Sequence, residues 1–282
     1  VLINYSLGKK RFEKTPDAFD LALIENIEQL EIPYWFPTDR MPEGYNTEQP
    51  KVSHGLTHVH HFYTKRNLWV LGAIRCRMNV PQCLLMFNSQ LVNISKLNRY
   101  RPEVSFPYNP LSGTLYIGSQ VSEANVFTAY ENKISRLLKA LDNVKCQTYL
   151  FTQSTEHTWI ANSTIDYIFT DPPFGGNLMY SELNFLWEAW LKVFTNNKPE
   201  AIENSVQGKG LPEYQKLMTE CFKEYCRVLK PGRWMTVEFH NSKNSVWNAI
   251  MEALQTAGFV IADIRTLDKK QGSFKQVTSA SA

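Results

Sequence analysis

The residues with the clearest capacity for chemistry are Asp171-Pro172-Pro173-Phe174, followed at once by Gly175 and Gly176. A carboxylate sits beside two prolines, which remove backbone donors and fix φ. An aromatic ring comes next, and then two glycines that let the chain turn sharply or let a ligand approach the backbone. The run before it, Ile165 to Thr170, is β-branched and aromatic, so the tetrapeptide reads as a rigid loop delivered by a buried strand. The competing reading is an ordinary turn in which Asp171 caps and Phe174 joins the core.

The tetrapeptide resembles the catalytic loop of the S-adenosylmethionine-dependent nucleic-acid amino-methyltransferases, which modify N6 of adenine or N4 of cytosine. The longer stretch from Thr170 to Trp190, TDPPFGGNLMYSELNFLWEAW, is similar to a group of adenine-specific DNA methylases, and the similarity runs from about His54 to the C-terminus. The resemblance implies that Asp171 and the Pro172 carbonyl accept the hydrogens of an exocyclic amine, with Pro173 completing the loop. Phe174 and Gly175 then lie against a base extruded from the duplex. The same resemblance implies S-adenosyl-L-methionine as cofactor, DNA as partner, a restriction or defence-system partner, and N6 of adenine as the first choice of target. Thr170 and Asp171 are the residues expected beside the cofactor. Equivalent chemistry on RNA or on N4 of cytosine stays open, as does a non-catalytic DNA-binding segment. A cytosine C5-methylase is disfavoured, because that chemistry needs a cysteine nucleophile and the chain has no Pro-Cys dipeptide.

Composition permits this reading without requiring it. The 282 residues are 43% hydrophobic and 20% charged, with a net charge of +3, so nucleic-acid binding must rest on local patches. No apolar run has membrane-spanning length and no signal segment opens the chain, which makes a cytoplasmic protein the default. The five cysteines form no C-x-x-C pair, so neither a zinc ribbon nor a disulfide framework is readable and no metal is expected. His54, His58, His60 and His61 crowd into eight residues, but their spacing fits no common zinc pattern.

Supporting elements follow from periodicity and punctuation. The expected fold is α/β and Rossmann-like: a mostly parallel sheet with flanking helices, incomplete at both ends. Incompleteness is expected because the chain opens at Val1 and closes just after a strand-like Phe274–Val277. In addition, the only G-x-G, Gly208-Lys209-Gly210, follows a polar loop instead of a strand and cannot be the cofactor turn. Three parts are read: residues 1–50 as an arm, insertion remnant or linker, 51–145 as a helical part, and 146–282 as the catalytic α/β half.

Along the chain, Asp20–Leu30 reads as a short helix beside the basic cluster Lys9-Lys10-Arg11. Thr64 caps a helix to about Met78, and its first turn, with Lys65 and Arg66, would attract a phosphate or the cofactor's carboxylate. The alternative is a plain cap. A helix over Gln82–Leu97 ends at Arg99-Tyr100-Arg101, where two arginines around a ring can meet phosphate and base; a cation-stabilised helix end explains them equally well. A short strand at Thr114–Ile117 precedes a helix over Glu123–Leu141, whose stripe Phe127, Tyr130, Ile134, Leu137, Leu138 and Leu141 reads as core.

Strand and helix alternate from Cys146. The first strand, Cys146–Thr152, leads to Glu156, which is placed against the cofactor's adenosine. Ser181 is expected to cap a helix that buries Leu186, Trp187 and Trp190. Residues 195–212 read as a polar loop, either a plain flexible loop or one that overhangs the substrate with Lys198 and Lys209 near phosphates. A helix over Glu213–Leu229 stops at Lys230-Pro231-Gly232, and the strand Trp234–Phe239 ends at His240-Asn241, which are expected to contact the base or orient Asp171, a structural hydrogen-bonding role for His240 being the equal alternative. Ser245–Ala257 and Phe259–Ile264 close the pattern as helix and strand.

Overall fold

A computed structural model describes residues 2–8, 10–78, 80–101, 108–141 and 147–266. The elements in chain order are β1 (Ile3–Leu7), β2 (Lys10–Lys14), α1 (Ala18–Gln29), α2 (Tyr45–His54), α3 (Lys65–Cys76), α4 (Pro81–Asn88), α5 (Leu91–Ile94) and α6 (Val126–Leu141). They continue with β3 (Ile165–Thr170), α7 (Tyr180–Leu183), α8 (Phe185–Leu191), α9 (Leu211–Val228), β4 (Leu229–Val237) and α10 (Asn244–Thr256). Two compact units divide the chain. One holds residues 1–40, 58–110 and 117–142, the other 41–57, 111–116 and 143–282.

The first unit begins with an antiparallel hairpin where an arm or linker was the reading. Ile3 pairs with Lys14 and Leu7 with Lys10, and Gly8 turns the chain at φ +61. Of the basic cluster, Lys10 begins β2 just after this turn, and Lys9 lies outside the described residues. Helix α1 follows with a reciprocal cap: the Asp17 carboxylate accepts from the Phe19 and Asp20 N–H groups, and the Asp20 carboxylate accepts from the Asp17 N–H. The core collects Val59, Phe62, Leu71, Phe87, Leu91 and Ile94. Helix α3 starts at Thr64 as its spacing predicts. The helix expected over 82–97 is instead two pieces, α4 and α5. The Ser89 hydroxyl donates back to the Met86 carbonyl (2.6 Å), and the Gln90 N–H bonds to the Phe87 carbonyl in a three-residue pattern, so the ladder tightens and breaks there. Helix α6 also differs from its predicted stripe. Val126, Ala129 and Tyr130 are buried, whereas Phe127, Ile134 and Leu138 are exposed, so the inward face is rotated about one residue from the most apolar one.

The second unit is mixed α/β. Helices α9 and α10 pack together through Tyr214, Met218, Phe222, Val246, Ile250 and Ala253. Strands β3 and β4 run parallel, with Tyr167 opposite Trp234 and Thr170 opposite Val237. Met235 and Val237 turn one face of this pair onto the α9–α10 core. Tyr167, Phe169 and Trp234 are exposed; Tyr167 faces Trp234 in the register, and Phe169 faces Thr236, which accepts the Tyr167 hydroxyl (2.6 Å).

Helix α9 runs straight into β4, and the expected terminator Lys230-Pro231-Gly232 lies inside the strand. Proline and the left-handed Gly232 (φ +73) produce a bulge there, and the register jumps from Ile165↔Leu229 to Tyr167↔Trp234.

Other expectations change as well. Residues 147–152 form no strand; Tyr149, Leu150 and Phe151 are exposed and have no ladder partner among the described residues. Phe259–Ile264 is likewise unpaired, with Phe259 and Ile261 against the core and Val260 outward. Thr114–Ile117 is not a strand, although Leu115 and Ile117 are buried. Strand propensity in these stretches matches half-buried positions, but a ladder needs a neighbour. Cys146 and Phe274–Val277 lie outside the described residues.

Met179, not Ser181, precedes the first turn of α7. The Ser181 N–H (2.9 Å) and hydroxyl (2.7 Å) both donate to the Glu200 carboxylate. No helix among the described residues is long and apolar enough to cross a membrane.

Candidate active site

Strand β3 is anchored so that its C-terminal end is fixed in depth. Thr170 is buried, its hydroxyl lies 3.3 Å from the Tyr225 hydroxyl, and its carbonyl accepts from the Glu238 N–H. The next residue, Asp171, emerges exposed, while Pro172 returns to the interior. Both prolines are trans, as is every peptide bond among the described residues.

Three consecutive carbonyls of the loop are then held from three directions. The Tyr214 hydroxyl, from the first turns of α9, donates to Pro173 (2.6 Å). The Asn241 side-chain amide donates to Phe174 (3.0 Å), and the Glu203 backbone N–H donates to Gly175 (3.3 Å). Among the described residues, no protein donor reaches the Pro172 carbonyl or the Asp171 carboxylate, so these two acceptors stay open at the end of β3.

Gly175 adopts φ +68, and a Cβ there would stand 2.7 Å from Glu203 Oε1 and 3.3 Å from Val246 Cγ1. Glycine is needed for both the left-handed backbone and the close approach. The Phe174 ring meets Phe239 edge-on at 5.3 Å, and Phe239 meets Trp247 in the same way at 5.0 Å. Tyr180 stands near enough that the Asp171 carboxylate, after burial, raises its phenol above the ordinary value, and Glu200 adds to the effect.

The other predicted site residues divide by what already engages them. Asn241 is drawn into the loop, but as its clamp. Its amide is given to Phe174, its Oδ1 accepts from the Lys243 N–H (2.8 Å), and its carbonyl accepts from the Trp247 indole (2.8 Å). His240 lies beside it, half-buried, with Nε2 out of solvent and unpartnered among the described residues. Lys209 is turned inward: its ammonium donates to the carbonyls of Asn197 (2.8 Å), Lys198 (3.4 Å) and Glu200 (2.6 Å), and burial lowers its pKa. The cation expected to meet a phosphate instead folds its own loop. Glu156 accepts from Ser154 at 3.4 Å.

Thr64, Arg99 and Arg101 belong to the first unit. There the anion expected at the start of α3 is supplied by Glu123, which takes a hydrogen bond from the Thr64 hydroxyl (2.6 Å) and a bidentate pair from Arg66 (2.5 and 2.7 Å). Lys65 reaches the Glu28 carbonyl. The Arg99 Nε donates to the Asn109 carbonyl (3.0 Å), and Arg101 is exposed. The rings of His58, His60 and His61 pack against one another at 4.4 to 5.6 Å, and burial, followed by the neighbouring histidines, lowers the His60 pKa. No group of three or more His, Cys, Asp or Glu among the described residues could hold a metal ion.

Residues 165–281 match the family model of the N6/N4 DNA methylases. The matched stretch begins on the first residue of β3 and takes in the loop, α9, β4 and α10. That is the part of the second unit in which the open acceptors and their clamps lie. No curated protein and no solved structure matches the chain at a significant level.

Tyr214, Glu203 and Trp247 carry the site without having been singled out in the sequence. Tyr214 shows there only as one more apolar position on the stripe of α9, and nothing in the spacing reveals that its hydroxyl reaches back 41 residues.

Proposed function

We propose that this chain transfers a methyl group to the exocyclic amine of a base in DNA, N6 of adenine in the first place, and that its second unit is a part of a Rossmann-like methyltransferase sheet. The observation that carries the proposal is the pair of open acceptors, the Asp171 carboxylate and the Pro172 carbonyl, at the end of a parallel strand. The family match of the surrounding residues stands behind it.

The exocyclic amine of adenine or cytosine shares its lone pair with the ring and is a poor nucleophile until the pair is localised. Two acceptors that each take one amine hydrogen favour a tetrahedral nitrogen with its lone pair directed outward. As the nitrogen gains positive charge, the carboxylate stabilises it. Phe174, fixed edge-on by Phe239, would offer its ring to the flat base, and the buried, unpartnered Nε2 of His240 is a polar group left for a ligand.

S-adenosylmethionine, which N6/N4 DNA methylases generally use, would supply an electrophilic methyl group. Of the residues expected to hold it, Thr170 has its hydroxyl beside that of Tyr225, Glu156 lies against Ser154, and Thr64, in the first unit, is tied to Glu123. The mechanism is therefore confined to the amine side of the reaction.

The test is transfer of radiolabelled methyl from S-adenosylmethionine to duplex DNA by the wild-type chain and by Asp171→Ala. The expected outcome is loss of transfer in the variant with DNA affinity within a few-fold, and N6-methyladenine in the digested product. Equal transfer by Asp171→Ala would remove the carboxylate from the mechanism. N4-methylcytosine, or label entering RNA in preference, would redirect the substrate.

A further inference from the structure

We propose that Tyr214 and Asn241 are positioning residues that hold the loop so that the Pro172 carbonyl stays open toward substrate; this rests on the methyl-transfer reading above. The loop has few soft dihedrals. Asp171 and Pro172 each precede a proline, which confines both to extended backbone, and the two prolines have fixed φ. The peptide plane that carries the Pro172 carbonyl is therefore stiff with respect to its neighbours. What remains is swing of the whole loop about the end of β3.

That swing is governed by the carbonyls that follow. A carbonyl's direction is set by the ψ of its own residue, so donors on Pro173 and Phe174 fix the two dihedrals through which the loop would tilt. Both donors are held by rigid surroundings. Tyr214 is fully buried in the α9–α10 core, and its hydroxyl donates to the Pro173 carbonyl at 2.6 Å and accepts from the Gly175 backbone N–H, so both of its partners lie in the loop. Asn241 is 8% exposed, and its other polar atoms are occupied by the Lys243 N–H and the Trp247 indole, so its amide can aim only at Phe174. The resulting division is unequal by design of the fold. Among the described residues, carbonyls 173 to 175 are bound by protein donors and the Pro172 carbonyl is not.

The experiment uses Tyr214→Phe, which keeps the buried ring and deletes only the hydroxyl, and Asn241→Asp, which keeps the acceptor for Lys243 and deletes the donor to Phe174. Tyr130→Phe is the control, because it removes an equivalent hydroxyl-to-carbonyl bond (2.9 Å, to Phe87) in the other unit. Amide exchange is read at Phe174, Gly175 and Gly176, and kcat and KM for DNA are measured in parallel.

In Tyr214→Phe and Asn241→Asp, exchange at the three amides should rise about 3- to 10-fold, the weight of one neutral hydrogen bond. For the same two variants kcat should fall about 10-fold or more, with KM for DNA nearly unchanged, as loss of alignment does. Tyr130→Phe should change neither. Unchanged exchange in both loop variants overturns the proposal, and so does faster exchange with wild-type kcat. If the wild-type chain transfers no methyl group while the loop variants still loosen the three amides, the methyl-transfer reading fails and the positioning role fails with it. The clamp is then structural only.

Discussion

Gly175→Ala separates the demands that the loop places on its backbone. At φ +68 an alanine pays the left-handed penalty of an L-residue, roughly 1–2 kcal/mol. The new Cβ would also meet Glu203 Oε1 at 2.7 Å, Val246 Cγ1 at 3.3 Å and Asn241 Nδ2 at 3.5 Å. The carboxylate is the far end of a flexible side chain and can swing away. Val246, 1% exposed on α10, cannot. The expected sum is about 2 kcal/mol, close to a thirtyfold shift in the folding equilibrium of this part of the chain. Gly176 provides an adjacent comparison, since a Cβ there would sit 3.4 Å from the Glu203 carbonyl oxygen with no positive φ to maintain. Urea unfolding of Gly175→Ala, Gly176→Ala, Glu203→Ala and the Gly175→Ala/Glu203→Ala double variant measures each part. Gly176→Ala should lie within about 0.5 kcal/mol of wild type. Glu203→Ala should recover less than half of the Gly175→Ala loss, because it relieves the clash and leaves the backbone strain. Full recovery in the double variant, or a Gly175→Ala protein as stable as wild type, would refute the left-handed conformation of the loop.

Two further outcomes test the supports of the second unit. Glu224 accepts hydrogen bonds from the Arg227 guanidinium and from the N–H and hydroxyl of Thr158, and these hold its carboxyl at about 2 against the opposition of burial. A depressed folded-state pKa gives stability that is complete above the ordinary carboxylate value and lost as pH falls toward 2. Unfolding free energy should therefore drop by on the order of 2–3 kcal/mol between about pH 5 and pH 2, and Glu224→Gln should flatten that slope; an unchanged slope in the variant would assign the acid loss elsewhere. Glu182 is a buried carboxylate that accepts from the Asn46 N–H (2.8 Å), the Asn46 amide (3.0 Å) and the Asn204 amide (3.3 Å). Glu182→Ala leaves those donors without a partner and should cost about 2–4 kcal/mol in thermal or urea unfolding, whereas a loss below about 0.5 kcal/mol would mean that water replaces it.

What the sequence reveals of this site and what it hides follow from the range of the forces involved. The strand from Ile165, the turn after it and the cap of α3 are legible, because each depends on residues within a few positions of one another; the start of α1 is missed, since Asp17 and not Asp20 begins its cap, and β3 is largely exposed where a buried strand is expected. The break between α4 and α5 is not legible, because it turns on one serine hydroxyl competing for a carbonyl three residues back, in a segment whose apolar spacing still reads as helix. Lys209 and Arg66 mislead in the same way. A cation in a loop or at a helix start reads as a phosphate ligand, and only the fold shows that Lys209 caps three carbonyls and that Arg66 is matched by a carboxylate 57 residues away.

The loop itself is the sharpest instance. Its tetrapeptide resembles a catalytic loop, yet a tetrapeptide with two prolines is also a good turn, and local sequence cannot decide between the two. What the fold adds is a set of bonds that span 41 residues from Tyr214 and 67 from Asn241. A turn whose carbonyls faced water would need no such donors. Here three successive carbonyls are tied down, while among the described residues the carbonyl just before them and the neighbouring carboxylate take no protein donor, which is the arrangement the methyl-transfer proposal requires. Under the methyl-transfer proposal, Asp171 and Pro172 are the acceptors held for a donor from outside the chain, and the two hydrogens of an exocyclic amine meet that description.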